Sequence, residues 1–357
     1  MEQCQKLNKQ DRNLSLDVLK ILCFFGVTMI HFTGYSNLMV LENVSTFNKV
    51  VFSFLTSLAR PAVNVFVLIT GFFMCEKQFK ISRLLKLWFQ VFVVGVIGCV
   101  AVLIINQNIS FADVIRTICP ITTYSFWFMT NYFILMILSP FLNKLFNVII
   151  QKQHLFLCFF GFVWMCVFVV MNPFVDTVKY FGTDWNISVF LILYIMGAYI
   201  KKYNISTKEK ICILTLGVLC LICEFLIIFY QKNGSFFEVG NYSVYAFFVA
   251  LSVFVLFKDL KINKGGKTIS LLAKSSVFVY LVQEYLPFRN ILWNIVNVSK
   301  YASSATLIFV YLILVICLWF VSVLISMLCD LFYPHFEKFV NFLIFKIKIL
   351  FSKNSKQ

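Results

Sequence analysis

Charge is scarce in this chain. Asp, Glu, Lys and Arg make up 13% of its 357 residues, against 61% hydrophobic residues that include 44 Phe. A soluble protein of this length carries about twice that share of charge, so a soluble globular class is excluded. Histidine is scarcer. His31, His154 and His335 are the three present, too few for a histidine-rich metal site, and no metal is expected. There is no phosphate-binding glycine loop, no nucleophile elbow, no internal repeat and no low-complexity tract. The twelve Cys are scattered, mostly within apolar segments. Cys220 and Cys223 have redox spacing but no second pair, and read as core packing. The net charge of +16 would point to a nucleic-acid partner only on a folded basic surface, and none is available.

What the chain has is apolar sequence in lengths that cross a bilayer. The candidate spans are 14–33, 51–75, 84–106, 124–143, 154–172, 187–200, 211–230, 242–257, 270–292 and 305–331. The fold class is therefore all-α, a polytopic membrane protein of about ten transmembrane helices. The N-terminal tail and every second loop hold 22 of the 31 Lys and Arg residues, and the opposite loops hold five. Cytoplasmic loops are the basic ones, so both termini are expected in the cytoplasm. The first helix has no small-residue cleavage site and reads as an uncleaved span. Residues 1–333 form the expected transmembrane domain. Residues 334–357 mix Phe and Ile with Lys and read as a basic amphipathic helix on the lipids of the inner leaflet.

Ionisable groups inside a span are costly and mark function or a snorkelling end. In the first span, Lys20 and His31 are eleven residues apart. Eleven steps of about 100° return a helix to within roughly 20° of its starting direction, so Asp17, Lys20 and His31 share a stripe. Arg83 and Lys86 are i and i+3 at the start of the third span, hence on one face. Arg60, Asn64, Trp127, Glu224, Gln283, Glu284 and Arg289 complete the polar set in or beside spans.

Four stretches together resemble the acyltransferase-3 family of integral-membrane acyltransferases, which O-acylate sugars and cell-envelope polymers. Leu16 to His31 follows its Leu-Asp-x-x-(Arg/Lys)-x10-His first helix. Ala62 to Met74 is similar to its Val-Asn-x-Phe…Ser-Gly segment. Arg83 and Lys86 stand where the family has Arg-x-x-Arg. Ser275 to Trp293 resembles its Gly-Val-Tyr-Leu-Ile-His-Glu segment with a later Arg and Trp. Trp127-Phe128 and Pro140 fit the ends of its fourth helix. The resemblance covers residues 12–295 in consistent order. Lys20 and Lys86 replace Arg, which keeps charge but loses the bidentate fork. Thr70 replaces Ser, and Gln283 stands where many relatives have His.

The resemblance implies an O-acyltransferase of the bacterial cytoplasmic membrane. Its co-substrate would be cytoplasmic acyl-coenzyme A, most often acetyl-coenzyme A. The acceptor would be a hydroxyl of a glycan or lipid-linked saccharide. His31 and Asp17 are the catalytic candidates. An imidazole titrates near 6.5 and can take a hydroxyl proton at neutral pH, or could itself be acylated. Lys20, Arg83 and Lys86 are candidates for the coenzyme phosphates, although Lys20 could instead pair with Asp17. Arg60, Asn64, Trp127, Glu284 and Arg289 are acceptor-side candidates. Asn64 could equally be interhelical glue, Trp127 an interfacial anchor, and Glu284 with Arg289 a structural pair. A transporter or exporter of an envelope precursor is the alternative class, although no inverted repeat or pair of broken helices supports it. A catalytically inactive scaffold is the third. The identity of the acceptor and the oligomeric state, a homo-oligomer included, stay open at this stage.

Overall fold

The computed structural model describes residues 13–105, 108–175, 187–230 and 243–354, with side chains described outside 166–175 and 347–354. Lys6, Lys9, Arg12, Lys179, Lys232 and Lys356 of the charge pattern lie outside the described residues, as do the side chains of Lys348 and Lys353.

The described residues form helices and two short 3-10 turns, with no strand among them. In order they are α1 (Leu14–Tyr35), α2 (Thr46–Ala59), α3 (Ala62–Met74), α4 (Ile81–Ile104), α5 (Phe111–Ile118), α6 (Trp127–Val148) and α7 (Gln151–Val175). They continue with α8 (Ile187–Lys202), α9 (Thr207–Tyr230), α10 (Val244–Asp259), α11 (Gly266–Glu284), α12 (Leu286–Val296) and α13 (Leu307–Asn354). Five stretches are long and apolar enough to cross a membrane: α1, α2 with α3, α4, α9 and α13. Each of the other expected spans falls on a helix, but α8 and α10 have only 16 residues each. That is about 24 Å, less than a hydrocarbon core of about 30 Å.

Three expectations need correction. The second span is two helices, because Arg60 and Pro61 interrupt it and Pro61 has no N–H to give the preceding turn. The ninth span breaks between Glu284 and Leu286, with Pro287 in the first turn of the new helix. The loop after α4 contains α5, whose Ser110 and Asp113 form a reciprocal capping box. The last span and the expected basic tail share one helix. α13 runs 48 residues through Pro334. Packing on either side of the proline holds the helix together. Tyr333 donates to the Ser82 carbonyl at 3.0 Å, and the Phe336 ring lies 4.8 Å from that of Phe89.

α1 sits centrally, packed on α2, α3 and α11. α3 and α8 approach most intimately. A Cβ on Gly71 would come within 2.3 Å of the Tyr194 carbonyl, and one on Gly197 within 2.3 Å of the Leu68 carbonyl. Small residues let helix backbones touch where apolar lipid offers no hydrophobic drive. α9 packs on α2 and α10 and turns its other face outward. Cys223 is exposed on it and Cys220 half-buried, so this pair is not in the core. None of the ten cysteines with described side chains is in a disulfide.

Candidate active site

A cavity of about 350 Å³ opens along α1. Cys23, Val27, His31 and Tyr35 contribute to its wall from that helix, at intervals of one turn. Phe66 of α3 forms another wall, with its ring 5.6 Å from Phe24 and 5.4 Å from Phe128. Arg60 and Trp127 line it as well, which is where the sequence placed acceptor-side groups. Asn64 is fully buried in α3 and is not part of the lining.

His31 is the polar centre of this cavity. Its Nε2 lies 3.2 Å from Oε1 of Glu284, the last residue of α11. The same carboxylate oxygen accepts the Tyr35 hydroxyl at 2.5 Å. Arg289 of α12 closes the cluster. Its Nη1 is 3.1 Å from the Tyr35 oxygen and 3.7 Å from Oε2 of Glu284, and its guanidinium sits over the Tyr35 ring. Glu284 and Arg289 are thus partners, as one reading of the sequence had it, but the carboxylate is also the partner of His31. Glu284 is 5% exposed, and His31, Tyr35 and Arg289 surround its carboxyl group in place of water.

An Nε2–H that donates to Glu284 leaves Nδ1 of His31 with the lone pair. Nδ1 has no hydrogen bond among the described residues, and Gln283 lies beside the ring. Gln283 itself donates to the Val279 carbonyl at 2.9 Å and to the Thr28 hydroxyl at 3.3 Å. Asp17 lies elsewhere. It is fourteen residues, or about 21 Å, back along α1, and it pairs with Lys20 at 3.3 Å. The carboxylate beside His31 is Glu284.

The cations at the other end of α1 fall into two groups. Lys20 and Lys77 both lie over the Phe73 ring, at 5.4 and 5.7 Å. Arg83 is adjacent and exposed, donating to the Gln78 carbonyl at 3.3 Å. Burial, with Arg83 and Lys20 nearby, pushes the Lys77 amine below its ordinary range. Lys86 belongs to the second group. It lies 3.5 Å from Asp330 of α13, which Lys274 of α11 also binds. Arg83 and Lys86 share a helix but face different partners. Among the described residues no group of His, Cys, Asp and Glu is arranged for a metal ion.

Sequence reasoning missed Tyr35, Tyr280, Lys77, Asp330 and Lys274. Tyr35 was within reach, since it is four residues from His31 on the same helical face. Tyr280, whose oxygen accepts the Phe128 amide at 3.4 Å, is the Tyr of the motif in the ninth span, whereas Asp330 carries no local signal. Glu224 is fully buried in α9, with both oxygens lacking a hydrogen bond among the described residues, and Arg60 is the cation acting on it.

No curated protein and no solved structure matches the chain. A family model described as an acyltransferase domain matches residues 13–347, nearly the whole length. The His31 cavity, the apolar helices and the order of the motifs all fall inside that match, and the chain belongs to the acyltransferase-3 family of membrane acyltransferases.

Proposed function

We propose that this membrane acyltransferase moves an acetyl group from cytoplasmic acetyl-coenzyme A to a glycan hydroxyl, with His31 as the base. The observation that carries the reading is the contact of Glu284 with His31, a residue that lines the cavity. Glu284 would hold the imidazole in one tautomer and stabilise the imidazolium that forms. The His31 imidazole takes the acceptor proton as the hydroxyl oxygen attacks the thioester carbonyl. The carbon–sulfur bond breaks, and the coenzyme leaves as a thiolate that takes up a proton.

The layout along α1 supports two substrates arriving from opposite faces. Lys20 is about 16 Å from His31 along the axis. Cys23 and Phe24, one turn beyond Lys20, begin the cavity wall. Coenzyme phosphates held by Lys20, Lys77 and Arg83 would place the thioester arm along this wall. Asp17 would serve to hold Lys20. Lys86 would contribute if a phosphate displaced Asp330. His31 lies about 25 Å from the start of the helix, near the end that carries Tyr35. With both termini cytoplasmic, the acceptor then enters from the outer face, past Arg60, Trp127 and Arg289. Aromatic walls suit a sugar ring in such a cavity. The cell would be bacterial and the membrane its cytoplasmic one.

The test is incubation of the purified protein with radiolabelled acetyl-coenzyme A and an envelope glycan fraction. Ester-linked label, released by mild base, is expected from the wild type. His31→Ala should lose transfer by about 10²- to 10⁴-fold, the usual contribution of a general base, and keep its donor affinity. Transfer by His31→Ala above about a tenth of wild type, well short of that loss, would remove His31 from the mechanism.

A further inference from the structure

The break between α11 and α12 falls beside the carboxylate that meets His31. α11 ends at Glu284, Tyr285 is extended at φ −60° and ψ 110°, and α12 begins at Leu286. A helix break leaves the last carbonyls before it without intrahelical partners and the chain there without that support. Here Tyr285 replaces that support. Its ring packs on Gly98 of α4, where even a Cβ would approach it to 2.4 Å. Its hydroxyl ends 2.8 Å from Oγ1 of Thr117 and 2.7 Å from Sγ of Cys99. The directions of these bonds are fixed by one link. Thr117 donates to the Asp113 carbonyl at 2.9 Å, so it accepts from Tyr285. The Cys99 thiol then donates into this pair, lying 2.7 Å from the Tyr285 oxygen and 3.1 Å from that of Thr117.

Two consecutive residues therefore tie the break in two directions. Glu284 binds α1 through His31 and Tyr35, and Tyr285 binds α4 and α5. α5 is itself held by its capping box and by the Arg116–Asp113 pair at 2.9 Å. We infer that Tyr285 is a positioning residue for acyl transfer: its hydroxyl clamp on Thr117 and Cys99 holds the helix break so that Glu284 stays against His31. The inference rests on the reading of His31 and Glu284 as the catalytic pair.

Tyr285→Phe tests it, because the ring stays over Gly98 and only the hydroxyl is lost. A displacement of about 1 Å at a reacting group costs on the order of 10²-fold. The expected result is a fall in kcat of about 10- to 100-fold on this scale, with labelled acetyl-coenzyme A binding within about twofold of wild type. Thr117→Val should behave alike. A second readout needs no acceptor. The rate at which diethyl pyrocarbonate modifies His31, resolved from His154 and His335 by peptide mass spectrometry, should move in the direction that Glu284→Gln moves it. Wild-type kcat in Tyr285→Phe, with Glu284→Gln impaired, overturns the clamp and leaves the catalytic pair standing. A loss that comes with weakened donor binding and an unchanged His31 modification rate also overturns it, since the hydroxyl would then be merely structural. Wild-type turnover in Glu284→Gln removes the catalytic pair and the clamp together.

Discussion

Glu284 meets His31 at 3.2 Å, 253 residues away in sequence, and His31 lines the cavity along α1 while Glu284 lies behind it. The first is the last residue of α11, and the second lies one turn before the end of α1. On the proposed reading, this contact would fix the histidine's tautomer and supply a counter-charge, as a base accepting a proton in a dry site requires.

Glu284→Gln keeps the shape and removes the charge. The amide no longer stabilises an imidazolium, and it can hold the ring in the wrong tautomer. Turnover with labelled acetyl-coenzyme A should fall by about 10²- to 10⁴-fold. Donor affinity, measured by titration, should not change.

Donor binding should depend on Arg83 and on pH. Arg83→Ala loses one charge-assisted contact to phosphate, an effect of roughly tenfold or more in acetyl-coenzyme A affinity. Lys77 carries the pH dependence. Its amine titrates below the ordinary lysine range because it is partly buried and faces Arg83 and Lys20. Bound phosphate would stabilise the charged form, so affinity should fall as pH rises through the lowered Lys77 value. Lys77→Arg stays charged over that range and should flatten the profile. Calorimetric titration across alkaline pH checks both statements.

Gly197→Ala should destabilise the protein. The added methyl would lie within 2.3 Å of the Leu68 carbonyl and 2.9 Å from the Phe72 amide nitrogen, both rigid backbone atoms. Forcing α3 and α8 apart costs about 1–3 kcal/mol. A lower melting temperature in detergent is expected, with a weaker effect for Gly34→Ala, where nothing lies within 4 Å of the new Cβ.

The loops around Lys80, Lys208 and Lys264 should face the cytoplasm, since they carry the basic excess. Single cysteines placed there in a cysteine-free background should react with impermeant maleimide only after the membrane is opened. Labelling of position 208 in intact cells would refute this orientation.

The helical class was legible because it depends on local sequence. Apolar runs and their spacing decide which segments become helices in lipid, where backbone groups must be satisfied within the segment. His31 stood out as a candidate for a related reason: it lies far inside such a run, away from the end where Asp17 and Lys20 can snorkel. The breaks were less so. Pro61 and Pro287 are visible in sequence, but Pro334 is passed by a continuous helix. What separates them is packing. Tyr333 and Phe336 bind α4 on both sides of Pro334.

The sequence by itself determined the membrane class, the family motifs and the stripe from Lys20 to His31, since all of these follow from composition and from periodicity within one helix. Only the tertiary structure decided which carboxylate serves the histidine. Asp17 shares a helix with His31, yet the rise of that helix carries it about 21 Å away. Glu284 comes from a distant segment, and the packing of α11 on α1 brings it within 3.2 Å. The same holds for Lys86, which helical spacing puts beside Arg83 and which packing gives to Asp330. Distance along a helix is fixed by its own geometry, whereas contact between helices depends on how side chains from remote parts of the chain fit together.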